Sequence, residues 1–410
     1  MKPRRRIGLV LSGGGARGAY EVGVLAHLFE HVLPKLPPDF EFDVVSGTSV
    51  GAIHASYVAA TSQWDGAQRA RRLAETWNGM EVAQVVRLGV RDLFGVPLRA
   101  LGLSQLRRRA GGSAKAPEVI GGLVDISPLE RIVADSVPWS ALAENLRKPR
   151  PRALCVLCTE VGSGLVTVFM DGPLADPSAW ATDPNIVAIP TPISAVHARA
   201  SAAIPFLFPA VRIGNNYYVD GGLRMNTPLS PALRLGCERL FVVALKQEPG
   251  VAAKSPRVAA RAITQPAFLI GKVLDALVLD QLQVELHRLE VVNALLAEGV
   301  AVYGDSFIED VSGAVRAKRG AGYRIVDTTV VRPSDDIGHI AAVCYRKHGA
   351  GVLGALPSLL TRLALRGVPE DEADLLSYLF FDRRFTGELV ALGREDARRR
   401  EDELLALLSD

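Results

Sequence analysis

The chain is poor in cysteine, with four in 410 residues. Four is too few to staple a chain of this length, which excludes a disulfide-built scaffold. Cys155 and Cys158 spell C-x-x-C inside the apolar run Ala153 to Thr159. No second pair offers zinc a complete set, and no helix begins at the second cysteine as a redox motif requires. They read as core-strand residues. Long hydrophobic runs are also missing. No stretch reaches the roughly 18 uncharged apolar residues of a membrane span. The basic start Lys2 to Arg6 is followed by only Ile7 to Leu11 before Ser12 and glycine. That run is shorter than the ~7–15 residues of a signal-peptide core and reads as a first strand. Net charge is only +3, too small to argue for a nucleic-acid partner, and the excess of arginine (38) over lysine (9) carries no functional weight. The expectation is a cytoplasmic or peripherally membrane-associated protein without a signal peptide or transmembrane segment. Histidine is sparse as well. Of the seven, His27 and His31 stand at i, i+4 but lack an acidic partner in a zinc pattern, so no metal and no cofactor are expected.

What is present is ordinary for a globular protein: 49% hydrophobic and 22% charged residues, enough for one large domain or two smaller ones. Strand and helix signals alternate. Ile7–Leu11 is a short apolar run, Gly13-Gly14-Gly15 a turn, and 16–33 has helical spacing through Tyr20, Val24, Leu25, Leu28 and Val32. Residues 43–46 form a second strand, 50–60 a helix and 68–78 another. The runs 153–159, 165–170, 239–245 and 323–331 read as further strands. This alternation predicts a three-layer α/β/α sandwich with a mostly parallel central sheet. Three stretches break the rhythm. Residues 81–124 mix leucines with basic side chains: 81–115 hold Arg87, Arg91, Arg99, Arg107, Arg108, Arg109 and Lys115 against Glu81 and Asp92. Residues 266–298 carry a long helical pattern, expected to pack on the sheet or to line a channel. Residues 337–410 are helix-rich and end in the charged run Arg394 to Glu403, expected to be a solvated face. The expected division is a catalytic domain over 5–333 and a C-terminal helical extension over 334–410.

One motif stands out. Gly47-Thr48-Ser49-Val50-Gly51 follows an apolar strand and opens a helix, the setting in which G-x-S-x-G places a serine on a strained, exposed turn. The following helix dipole favours negative charge there. A serine nucleophile needs oxyanion donors and a base. Gly13, Gly14 and Gly15, between a strand and a helix, leave backbone N–H groups unshielded and are candidate donors. No histidine sits in an obvious catalytic loop, and His54 lies on the helix that follows Ser49. Asp220 instead ends the apolar run Tyr217 to Val219, just before Gly221 and Gly222. A free aspartate, with a pKa near 3.9, is a weak base; burial raises it.

The blocks Gly13-Gly-Gly-Ala-Arg-Gly18, Gly47-Thr-Ser-Val-Gly51 and Asp220-Gly-Gly222 resemble, in order, the signature blocks of patatin-like phospholipases. Ser201 to Pro209 and Asn226-Thr-Pro228 resemble the segments around the last block. The resemblance covers about residues 5–245, with a weaker similarity to bacterial members beyond. It implies a serine–aspartate dyad without histidine: Ser49 as nucleophile, Asp220 as base, and Gly13, Gly14, Gly15 and Arg17 in an oxyanion and phosphate-binding loop, supported by Gly47, Gly51, Gly221 and Gly222. The implied reaction is hydrolysis of fatty acyl esters of phospholipids, lysophospholipids or glycerides through an acyl-serine intermediate.

Three other readings compete. Gly13, Gly15 and Gly18 also spell the dinucleotide fingerprint G-x-G-x-x-G, although the acid expected about 20 residues on is missing. A Ser-Asp-His triad would need His287, His339 or His348. A non-catalytic lipid-binding protein on the same fold is the third. A lipid substrate implies contact with a membrane or micelle surface, and the basic, leucine-rich 81–124 segment is expected to serve as a lid, a membrane-contact element or a fixed cap. Oligomeric state, acyl-chain length and head-group preference are not legible.

Overall fold

The computed structural model describes residues 4–80, 127–148, 151–205, 208–247, 281–352 and 374–409. The expected insertion at 81–124 and the first part of the 266–298 helix lie outside these residues. In chain order the strands are β1 Ile7–Leu11, β2 Val44–Thr48, β3 Ala153–Glu160, β4 Val166–Asp171, β5 Ile186–Pro190, β6 Val211–Ile213, β7 Asn216–Asp220, β8 Arg239–Val243 and β9 Asp327–Val331. The helices are α1 Ala19–His27, α2 Val50–Ala60, α3 Gly66–Asn78, α4 Ser127–Ser136, α5 Trp139–Asn145, α6 Ala195–Ser201, α7 Leu229–Arg234, α8 Gln281–Tyr303, α9 Phe307–Arg319, α10 Ile337–Val352, α11 Asp374–Leu379, α12 Arg383–Arg399 and α13 Glu401–Leu408.

The sheet runs β5-β4-β3-β2-β1-β8-β9. Pairings from β3 through β9 are parallel, as is β4 with β5, while β4 joins β3 antiparallel. The central strands are apolar on both faces, as expected for a sheet covered on both sides. Their side chains alternate with period two. Leu9, Leu11, Val45, Leu154, Val156 and Phe241 enter one core, and Val10, Val44, Cys155, Leu157, Leu240 and Val242 the other. Burial raises the thiol pKa of Cys155 to about 12 and pushes that of Cys158 up as well, so these are inert core residues. The fold is the mostly parallel, three-layer α/β sandwich the sequence pattern predicts.

Several boundaries differ from the sequence-based expectation. The helix read over 16–33 begins as a tight turn at Gly15–Gly18, becomes α1, and widens into a π turn over Leu28–Val32. Only Asp327–Val331 of the run 323–331 is strand. The described part of the 266–298 pattern belongs to α8, whose Leu282, Leu286 and Leu289 pack on the core that holds Val10 and Leu157. That face of the sheet is opposite the one covered by α1 and α2.

The C-terminal helices join the first core. α1 is buried along its whole length, with α3 and α12 packed against it. The backbones of α1 and α12 nearly touch: a Cβ on Gly23 would lie 2.1 Å from the Val390 carbonyl oxygen, and one on Gly393 2.2 Å from that of Tyr20. The charged run 394–403, expected to be solvated, is partly spent on this packing. Arg394 pairs with Glu30, and buried Asp396 accepts hydrogen bonds from Tyr20 Oη at 3.0 Å and the Ser334 amide at 2.9 Å. Glu401 receives His27 Nε2 at 2.7 Å, so His27 serves this junction.

Because backbone lies against backbone at this crossing, neither helix can yield by a rotamer change. Gly23→Ala should lower stability by about 1–3 kcal/mol, read as a fall in the urea midpoint with an unchanged slope.

Candidate active site

β2 ends at Thr48 and α2 begins at Val50. Ser49 bridges them with φ 55° and ψ −124° and is the one non-glycine residue of positive φ among the described residues. Such a conformation costs about 1–3 kcal/mol and persists only where its surroundings impose it. They do so here through close packing. A Cβ on Gly47 would sit 2.1 Å from the Gly51 carbonyl oxygen, and one on Gly51 2.5 Å from that of Leu11. The Ser49 amide donates to Ser201 Oγ at 2.8 Å, and Ser201 Oγ donates in turn to the Leu157 carbonyl at 2.5 Å. Ser201 thus pins the elbow from α6. The sequence pattern marked its neighbourhood but not its role.

Asp220 reaches Ser49 through the sheet itself. β2 runs parallel to β3 and stops with Thr48 opposite Leu157. β7 runs antiparallel to β3 in the same lane and stops with Asp220 opposite Cys158. Two strands therefore arrive head to head beside consecutive residues of β3. Gly221 fits this junction because a Cβ there would lie 2.4 Å from the Leu157 carbonyl oxygen. The Asp220 carboxylate is buried, lies near enough to the Ser49 hydroxyl for that group to act on its ionisation, and on Oδ1 accepts a hydrogen bond from the Gly222 amide at 2.7 Å. Burial raises its pKa to about 6, and the Ser49 hydroxyl and Gly222 amide pull the other way.

The glycine block closes the third side. Asn226 grips Gly13 twice: its carbonyl accepts the Gly13 amide at 3.1 Å, and its Nδ2 donates to the Gly13 carbonyl at 3.0 Å. Asn226 Oδ1 would be 2.3 Å from a Cβ on Gly13, so only glycine fits. Gly15 has φ +56° and lies beneath the Tyr378 carbonyl of α11, 2.3 Å from where its Cβ would be. The amides of Gly14 and Gly15 make no hydrogen bond among the described residues, which leaves them available to an anion. Arg17, expected in the oxyanion and phosphate-binding loop, makes contacts with the C-terminal part of the chain. It is buried, donates from Nε to Ser377 Oγ at 2.7 Å, and lies 4.3 Å over the Tyr378 ring. Its guanidinium ties the loop to α11.

Ser49 belongs to the wall of an apolar pocket that also includes Ile53, Leu73, Trp77, Met80, Phe208 and Phe381. The C-terminal extension contributes Tyr378 and Leu379 of α11 and Phe381, in the turn after it, to this wall. No histidine bonds Ser49 or Asp220 among the described residues. His287, His339 and His348 are exposed. His54 is buried with both ring nitrogens engaged, by Glu21 at 2.7 Å and the Trp77 indole at 3.0 Å, so it has no lone pair left for a serine proton. β2 ends in Gly47-Thr48 and not in the acid that would bind a ribose. No cluster of three or more His, Cys, Asp and Glu suited to a metal occurs among the described residues.

Two stability effects follow. Ser49→Gly should relieve the elbow and stabilise the fold by about 1–3 kcal/mol. Asp220 holds its proton more tightly when folded (about 6) than when unfolded (about 3.9). Its contribution is fully present below about pH 4 and is lost as pH rises through 6. Asp220→Asn removes the ionisation, so it should be more stable than wild type by about 3 kcal/mol at pH 8 and near parity at pH 4. Urea melts at the two pH values check the sign.

The patatin-like phospholipase family profile matches residues 9–233, just over half the chain. A patatin-like phospholipase domain-containing protein of Caenorhabditis elegans is 45% identical over 74 residues, which make up 18% of this chain and 5% of that protein. Human GIVD cytosolic phospholipase A2, solved with methyl gamma-linolenyl fluorophosphonate, aligns at TM-score 0.41 and 14% identity, covering 98% of this chain and 58% of that one. VipD from Legionella pneumophila aligns at TM-score 0.30 and 14% identity, covering 95% and 67%. On the family match, whose span includes Gly13 to Gly15, the Ser49 elbow and Asp220, the chain belongs to the patatin-like phospholipase family.

Proposed function

We propose that the protein is a serine acyl hydrolase working through a Ser49–Asp220 dyad. The observation that carries this is the meeting of the strained elbow serine, on an apolar pocket wall, with the buried Asp220 carboxylate where β2 and β7 end beside consecutive residues of β3. Asp220 takes the Ser49 proton as Oγ attacks the ester carbonyl. The amides of Gly14 and Gly15, with the N-terminal dipole of α2, stabilise the oxyanion. The same proton then passes to the departing alcohol, leaving an acyl-serine. Asp220 next activates water, which releases the fatty acid and regenerates the serine. A base with a pKa near 6 suits neutral pH far better than one near 3.9.

The pocket is built of apolar side chains, which favours a fatty acyl group over a polar one. The substrate class is therefore the acyl esters of phospholipids, lysophospholipids or glycerides, met at a membrane or micelle surface. No described helix is long and apolar enough to cross a membrane. We read 5–333 as the catalytic domain, and residues 374–409 as the described part of a helical extension that closes its pocket.

A lipid panel assayed by mass spectrometry tests the proposal. Ser49→Ala should abolish release of fatty acid, and Asp220→Asn should lower kcat by about 10⁴-fold. Retained hydrolysis in Ser49→Ala removes the central claim. The kcat/KM profile should rise with pH along an acid limb centred near 6, since only ionised Asp220 accepts the proton.

A further inference from the structure

α1 is apolar through Ala19, Tyr20, Val22, Val24 and Leu25, yet it buries Glu21 completely. A lone carboxylate in such a place is destabilising unless every oxygen is used. Both are. Oε1 accepts the Ser12 amide at 2.8 Å, and Oε2 meets His54 Nδ1 at 2.7 Å. Beyond the imidazole, Trp77 Nε1 meets His54 Nε2 at 3.0 Å. An indole N–H can only donate. Nε2 must therefore be the acceptor, and the imidazole proton sits on Nδ1 and points at Glu21. One end of this chain is the residue before Gly13. The other is a wall of the pocket, where Trp77 stacks on Phe381 with centroids 6.2 Å apart.

We propose that Glu21 is a positioning residue for acyl-chain recognition: by fixing the Nδ1–H tautomer of His54 it holds the Trp77 indole in the orientation that shapes the pocket. A neutral amide in its place would still accept from Ser12, but its NH₂ would face Nδ1. The proton would then move to Nε2, where it meets the Trp77 N–H donor to donor. The indole must turn away, and the wall that receives the chain is lost. The inference rests on the acyl-hydrolase reading, while its tautomer step stands apart from turnover.

The experiment has two arms. In full-length protein carrying ¹⁵N-histidine, His54 should be protonated on Nδ1 in the wild type and on Nε2 in Glu21→Gln. The second arm is the ratio of kcat/KM for palmitoyl over acetyl p-nitrophenyl esters. Glu21→Gln should lower it by about tenfold, chiefly through KM, the scale expected when two buried donors are forced together. In a Trp77→Phe background, which removes the opposing N–H, the same change should alter the ratio less than about twofold. That rescue separates positioning from general damage to the core. An Nε2-protonated His54 in the wild type overturns the proposal even if Glu21→Gln fails to fold, and so does an equal loss in both backgrounds. If neither ester is hydrolysed, the hydrolase reading falls, and the tautomer arm still decides the chain.

Discussion

Everything at the site depends on one lane of the sheet. β3 is longer than the strand it pairs with on the β2 side, and β7 fills the remainder from the opposite direction. The junction leaves no spare residue: Thr48 and Asp220 oppose neighbours on β3. A strand end is where a backbone can turn, so both chains turn at the same point, one into α2 and the other at Gly221–Leu223. The contact between Ser49 and Asp220 is therefore set by main-chain register. A register slip of one residue would send every side chain of β7 to the other face, and the carboxylate with them.

The layer above the sheet does more than cover it. Residues beyond the family-matched span reach back to the glycine block, with the Tyr378 carbonyl over Gly15 and Ser377 and Tyr378 against Arg17. α12 locks onto α1, which starts directly after that block. The amides proposed to receive the oxyanion thus sit in a loop clamped by Asn226 from one side and α11 from the other. Preorganisation of this kind matters because donors already in place need no reorganisation as charge develops.

Much of this was legible in the sequence, for identifiable reasons. Ser49 and the glycine loop are short-range features whose spacing fixes their geometry, and the short apolar runs disclosed the central strands. Asp220 was visible as a carboxylate closing an apolar run before two glycines, although its meeting with Ser49 depends on a pairing across many residues. What escaped is long-range. Arg17 was grouped with the anion loop because it stands there in sequence, yet its partners Ser377 and Tyr378 lie some 360 positions away. Phe381 and Tyr378 entered no pocket expectation, because nothing local marks a C-terminal aromatic as part of an N-terminal site. Ser201 left no signal of its role. Glu21 did leave one, a lone acid on a helix rich in apolar residues, whereas the closing 394–403 run read as uniformly charged and gave no sign that Asp396 is buried.

No charged group is among the causes that set the Asp220 pKa, and this has an electrostatic consequence. A guanidinium near Asp220 would favour the carboxylate and pull its pKa down. The groups acting on Asp220 are burial, which raises it to about 6, and two neutral donors, Ser49 and the Gly222 amide. A neutral donor lowers a carboxyl pKa less than a full positive charge at similar range, so burial prevails. In the proposed mechanism an aspartate takes the task that histidine performs in a triad, and it can do so only while the site stays dry and free of cations. Asp220 is enclosed by its β7–β3 pairing and the turn at Gly221–Leu223, whereas Ile53 and Leu73 line the wall on the Ser49 side, so base strength and acyl preference rest on different parts of the fold.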